Sequence, residues 1–210
     1  MAVKCSDYPI SSIATRPVRF CAPTTLNPAT LLPEGQNPLL HSCPETLAMI
    51  SSLRSDLTDI LLHDPDISMF SDGSSFVFQG QRYAGAAVTT DREVLWQQTL
   101  PPGTSAQRAK LIALTKALKL RRNKSVNIYM DSRYAFATAH VHGSIYQECG
   151  LFTAEGKAIN NKAEILDLLA AIWEPARLAI IHCPGHQKGD SLQAIENGLA
   201  DAAARESCPN

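Results

Sequence analysis

Three aspartates and one lysine have the type and setting to do chemistry in this chain of 210 residues. Asp72 sits in Ser71-Asp72-Gly73-Ser74-Ser75 and Asp131 in Met130-Asp131-Ser132-Arg133. Each is expected at the end of a strand and is followed by a small residue. Asp201 lies in the helical run Gly198-Leu199-Ala200-Asp201. Taken singly these are ordinary groups, turn or N-cap aspartates and a solvated helix charge. Taken together they suit metal chemistry, because carboxylates that converge repel one another and need cations between them. Two Mg²⁺ ions about 4 Å apart, bridged by such carboxylates, drive in-line displacement at phosphodiesters.

Lys110 bears on the same chemistry. It belongs to the stretch Gly103–Leu120, which is rich in strong helix formers and opens on Thr104 or Ser105 as N-cap. Lys110, Ala113, Leu114 and Ala117 fall at i, i+3, i+4 and i+7, so they share a face that is apolar apart from the lysine. Near a helix N-terminus the backbone favours a carboxylate over an ammonium. The plain explanation is a lysine whose stem lies on the core while its head reaches water.

The elements that must position these groups begin near Asp66. Ile67 to Phe70 reads as a strand running into a turn at Ser71–Ser75, and Tyr83–Val88 and Val94–Leu100 as two more strands. Short polar loops between them predict an antiparallel meander. Val126–Met130 is a fourth strand, Ser132 to about His142 a helix capped by Ser132, and Asn160–Trp173 another helix. Arg177–His182 is a fifth strand and Leu192–Arg205 a last helix. The order βββαβααβα predicts a mixed α/β layer fold, in which ligands gather where strands end.

Residues 1–63 differ. Pro9, Pro17, Pro23, Pro28, Pro33, Pro38 and Pro44 interrupt them, and only Pro44–Leu53 suggests a short helix. Such a segment buries too little apolar area to offset its chain entropy alone. Nineteen Lys and Arg against 20 Asp and Glu leave the chain near neutral, so no global grip on nucleic acid is expected. Six cysteines without a CxxC pair read as free thiols of a reducing compartment rather than a disulfide frame, with the even count leaving disulfides open. No apolar run of about 18 residues and no signal-peptide core occur, so the expectation is a soluble, intracellular protein without membrane contact.

The segments SDGSS (71–75), AGAAVTT (84–90), GTSAQRAKLIALTKALK (103–119), MDSRYAFATAHVHG (130–143), EGKAINNKAEIL (155–166), IIHCPGHQKG (180–189) and ENGLADAAAR (196–205) resemble the ribonuclease H domain of gammaretrovirus-type reverse transcriptases. LNPATLLP (26–33) and DLTDILLHD (56–64) resemble the end of the connection region that precedes that domain. The resemblance implies a ribonuclease H-like fold over 64–210, with a five-stranded mixed sheet of three antiparallel and then two parallel strands. It makes 1–63 a linker-like remnant of the connection region. It also implies cleavage of the RNA strand of RNA–DNA hybrids with Mg²⁺ or Mn²⁺, inside a polyprotein or a larger host protein. By position, Asp72, Asp131 and Asp201 match three of the family's four metal-binding acids. His186 matches the loop histidine that assists proton transfer or product release. Gln107 and Tyr134 match residues that touch the hybrid, in the minor groove and at the DNA backbone, and Asn197 fits the pattern before the last acid.

Lys110 stands where the family has its fourth acid, a metal-binding glutamate close to the RNA 2′-hydroxyl. Exchanging that carboxylate for an ammonium opposes metal binding: at about 4 Å and an effective dielectric near 20, each unit charge acts on another with roughly 4 kcal/mol. A second departure follows Ile145-Tyr146, where Gln147-Glu148-Cys149 replaces the basic run that grips the hybrid in murine-type enzymes. These two departures favour a domain of ribonuclease H ancestry, from an endogenous retroviral polymerase, weakened or inactive as a nuclease. The alternatives are a working Mg²⁺- or Mn²⁺-dependent nuclease using Asp72, Asp131 and Asp201, and a non-catalytic binding or scaffold module.

Overall fold

The computed structural model describes residues 54–148, 151–152, 157–185 and 192–207, all within the unit Cys43–Asn210. The short helix expected at Pro44–Leu53 lies outside the described residues. Five strands, β1 (Ile67–Phe78), β2 (Gln81–Thr89), β3 (Val94–Leu100), β4 (Ser125–Met130) and β5 (Arg177–His182), form one sheet in the order β3-β2-β1-β4-β5. β1 pairs antiparallel with β2, and β2 with β3. β4 runs parallel to β1 and to β5. This is the predicted triplet followed by two parallel strands reached through helical crossovers.

The helices are α1 (Ala106–Leu120), α2 (Arg133–Ala137), α3 (Gly143–Glu148), α4 (Lys162–Ala171) and α5 (Leu192–Glu206). A π-helical turn, Thr138–His142, joins α2 to α3, so the helix expected to stop near His142 continues to Glu148 with a widened turn inside it. Ser105 caps α1 by accepting from the Arg108 N–H, and Ser132 caps α2 by accepting from the Ala135 N–H.

Alternation along the strands divides the core into two faces. Met69 packs with Leu111, Leu114, Ile128, Ile165 and Leu168 on the face covered by α1 and α4. Phe70 points the other way and packs with Tyr129, Cys183 and Ala200 beneath α5, its ring stacked on Tyr129 at 4.8 Å. Ala113, Leu114 and Ala117 of the predicted α1 stripe are fully buried.

One boundary is corrected. The sequence places the end of β1 at Phe70, with Ser71–Ser75 as a turn, yet β1 continues through these residues to Phe78. Small polar residues and a glycine read locally as a turn, but β2 pairs with them one for one, from Phe70↔Thr89 to Phe78↔Gln81. The chain reverses instead at Gln79-Gly80, both with positive φ (48° and 79°), as a two-residue hairpin loop requires. Asp72 is therefore a mid-strand residue of β1. It lies just past the end of the parallel pairing with β4, which stops at Phe70↔Tyr129.

Candidate active site

The place where β4 stops and β1 runs on is where the charges meet. Asp72 shares the face of Phe70, and Asp131, the residue after β4, shares the face of Tyr129. Both carboxylates thus come to one side of the sheet at the carboxyl end of β4. α1 passes over β1 at very close range beside them. A Cβ on Gly73 would stand 2.5 Å from the Lys110 backbone nitrogen and 2.8 Å from the Ala109 Cβ, so only glycine admits this approach. The contact delivers Lys110 to the carboxylates.

The Lys110 ammonium bridges the pair. Its Nζ lies 2.9 Å from Asp72 Oδ1 and donates a short hydrogen bond to Asp131 Oδ1. The side chains are 21% (Lys110), 3% (Asp72) and 9% (Asp131) exposed, so the ammonium sits largely out of water. Asp72 Oδ1 also accepts from the Gly73 N–H at 2.7 Å. Burial pushes the Asp72 carboxyl up to about 6; the Lys110 charge pulls it down and the neighbouring Asp131 charge pushes it further up. Burial alone would lower Lys110, but the charges of Asp72 and Asp131 outweigh it and hold the ammonium above its ordinary value. The two carboxyl groups thus hold Lys110 in its charged form between them.

The other predicted site residues are placed as follows. Asp201 lies on α5, which packs across β1 and β2, and both its oxygens engage Arg205 one turn later, at 3.1 Å to Nε and 3.0 Å to Nη2. Asn197, one turn earlier, is buried and accepts from the Cys183 thiol at 3.6 Å. Gln107 is exposed on the first turn of α1, three residues before Lys110. Tyr134, in α2, is half-buried against the main core; burial raises its phenol, opposed by a hydrogen bond with Asn161. His186 lies outside the described residues. Arg121, Arg122 and Lys124, a small basic edge in the sequence, follow α1, and Arg122 pairs with Glu174 at 3.0 Å.

Would these residues hold the divalent metals that two converging aspartates suggest? The position between Asp72 and Asp131 is taken by the Lys110 ammonium. Among the described residues no group of three or more His, Cys, Asp or Glu is spaced to hold a metal ion. The donor set therefore does not fit a two-metal centre as it stands, and the ammonium supplies the cation. Two contributors went unread in the sequence. Arg205 is one, although its spacing four residues after Asp201 is a usable signal. Gly185 is the other: a Cβ there would lie 2.8 Å from Asp131 Oδ2, and nothing local to the chain announces that contact.

The RNase H family model matches residues 64–209. The Gag-Pol polyprotein of feline leukemia virus is 58% identical over 189 residues, covering 90% of this chain and 11% of the relative. That of avian reticuloendotheliosis virus is 54% identical over 202 residues (96% and 18%), and that of baboon endogenous virus strain M7 is also 54% identical over 202 residues (96% and 12%). The chain thus spans under a fifth of the length of these relatives. Among solved structures, the PFV RNase H domain superposes with a TM-score of 0.53 at 22% identity, covering 69% of this chain and 94% of that domain. A foamy viral protease-reverse transcriptase in complex with an RNA/DNA hybrid gives 0.54 at 17% identity, with coverage of 88% and 23%. At these identities the structural likenesses show a shared fold.

Proposed function

Since this chain belongs to the RNase H family, we propose that it is the ribonuclease H module of a retroviral reverse transcriptase whose nuclease activity has been impaired by Lys110. The single observation that carries the reading is the ammonium bound to both Asp72 and Asp131. The family's reaction, hydrolysis of the RNA strand of an RNA–DNA hybrid, depends on divalent metals held by carboxylates. Here the fourth carboxylate is absent, and a cation tethered to α1 competes with any ion for the remaining two. A tethered ammonium has a high effective concentration at its site. It also carries one charge where Mg²⁺ or Mn²⁺ carries two, and it cannot activate a water.

Substrate grip is weakened by the same chain. Tyr146 is followed by Gln147 and Glu148 with no basic run, and the formal net charge is −1, so the phosphate term that dominates nucleic-acid affinity is small. Gln107 and Tyr134 remain as the groups that would touch a hybrid, with Asp201 and His186 as inherited members of the site. We assign residues 64–210 to the ribonuclease H-like domain and 1–63 to a remnant of the connection region, within a longer polyprotein or host protein.

The test is hybrid cleavage with Mn²⁺ by the wild-type chain, Lys110→Glu and Asp131→Asn. The expected result is no cutting by wild type and cutting by Lys110→Glu, which makes the lysine the lesion in an otherwise intact site. Cutting by wild type that disappears in Asp131→Asn overturns the proposal and establishes an active nuclease. Binding of uncut hybrid across a salt series then separates a residual binding module from a scaffold.

A further inference from the structure

Residues 54–62 lie ahead of the stretch the family model matches, yet they are fastened to the domain at successive points. The Arg54 side chain is 7% exposed. Its Nη1 donates to the carbonyls of Ile172 (2.8 Å) and Pro175 (2.7 Å), and its Nη2 donates to that of Ala176 (2.6 Å). These carbonyls stand at and beyond the end of α4, where backbone acceptors lack helical partners and the helix dipole is negative. Asp56 grips the other edge of the guanidinium through both oxygens. Leu57 packs against the main core. Thr58 pairs in parallel with β5, its N–H donating to the Leu178 carbonyl at 3.3 Å and its carbonyl accepting from the Ile180 N–H at 3.0 Å.

The last fastening is on β4. The buried Asn127 amide (1% exposed) uses its oxygen to accept from the Leu62 N–H at 3.1 Å and its nitrogen to donate to the Leu62 carbonyl at 3.3 Å. An asparagine side chain here does what a neighbouring strand would do, donating and accepting side by side. From Leu62 the chain enters β1, with the Asp66 N–H donating to the Ser125 carbonyl at 2.8 Å. The segment therefore wraps from the outer edge of the sheet, past β5 and β4, to the start of β1.

We propose that residues 54–62 form a clasp: an integral part of this domain that closes the β5 edge, is locked by Arg54, and opens as one unit. β5 is the end strand of the sheet, and an open end strand offers unpaired donors and acceptors to any passing chain. The clasp occupies that edge with this chain's own backbone. β5 in turn runs directly into Cys183-Pro184-Gly185, and Gly185 abuts Asp131.

Native-state hydrogen exchange on the full chain tests it, because the Ile180 amide is protected by the Thr58 carbonyl and so reports clasp opening directly. Arg54→Ala is expected to speed Ile180 exchange by about tenfold or more, since hydrogen bonds from a charged donor are the stronger kind. The amides of β1 and β2 are expected to exchange at the wild-type rate. Arg54→Lys is expected to fall between, keeping the charge but losing the fork that serves several carbonyls. Thr58→Pro removes the N–H bonded to Leu178, together with the hydroxyl that accepts from the Ile60 N–H at 3.0 Å, and carries the test if Arg54→Ala does not fold; it too is expected to speed Ile180 selectively. Unchanged Ile180 exchange in Thr58→Pro, or an equal rise at every strand in the folded variants, overturns the clasp.

Discussion

Replacing Lys110 with methionine keeps the length of the stem and deletes the ammonium, leaving two nearly buried carboxylates facing each other. At 2.9 Å from Asp72 and an effective dielectric near 20, the attraction removed is about 6 kcal/mol. The net loss is smaller, because the lysine also sheds its own desolvation cost; breaking a buried pair from one side typically costs about 3–5 kcal/mol. The loss should depend on pH, and the sign follows from Asp72. Its folded value, about 6, lies above its ordinary value of 3.8. The folded state therefore binds the proton more tightly, and the stability this contributes is full below pH ~4 and is lost as pH rises through ~6. Without the ammonium, which pulls Asp72 down, the folded value climbs further and the fall extends to higher pH. Denaturant unfolding of wild type and Lys110→Met at pH 5, 6.5 and 8 should show the largest gap at pH 8, about 3–5 kcal/mol, and a clearly smaller one at pH 5. A gap under about 1 kcal/mol at pH 8, as for an exposed ion pair, or the same gap at all three values, would refute the buried-triad reasoning.

Two further outcomes follow from the same geometry. Gly73→Ala should cost about 1–3 kcal/mol or more in thermal or denaturant unfolding, because the added Cβ meets backbone atoms of Ala109 and Lys110 that cannot swing aside. Gly185→Ala, whose Cβ meets side-chain atoms of Asp131 alone, closest at Oδ2, should cost less, within about 1 kcal/mol; equal costs would contradict the close packing of α1 on β1. Cys183 is buried, and burial with the nearby Asp131 charge pushes its thiol up to about 11. Iodoacetamide treatment of the native chain at pH 8 should leave Cys183 unmodified by peptide mass spectrometry, whereas labelling as fast as in denaturant would show that this core opens.

Much of this molecule is written locally. The amphipathic run of α1, the Ser105 and Ser132 caps, the apolar β4 and β5 and the placement of Asp131 at the end of β4 all follow from propensity and period, which act between near neighbours. Lys110 announces itself in the same way, as a cation on an apolar stripe. What no local rule contains is decided by contacts between distant segments. Ser71–Ser75 become strand because β2 pairs with them, so Asp72 is a mid-strand residue. Arg54 ends up locked onto carbonyls more than a hundred residues away, and Asn127 on β4 takes the part of a strand for Leu62. The sequence by itself determined that a lysine stands on the apolar stripe of α1. Only the tertiary structure decided that this lysine reaches both Asp72 and Asp131, because that depends on how closely a glycine lets α1 approach β1, a distance set by packing across the sheet.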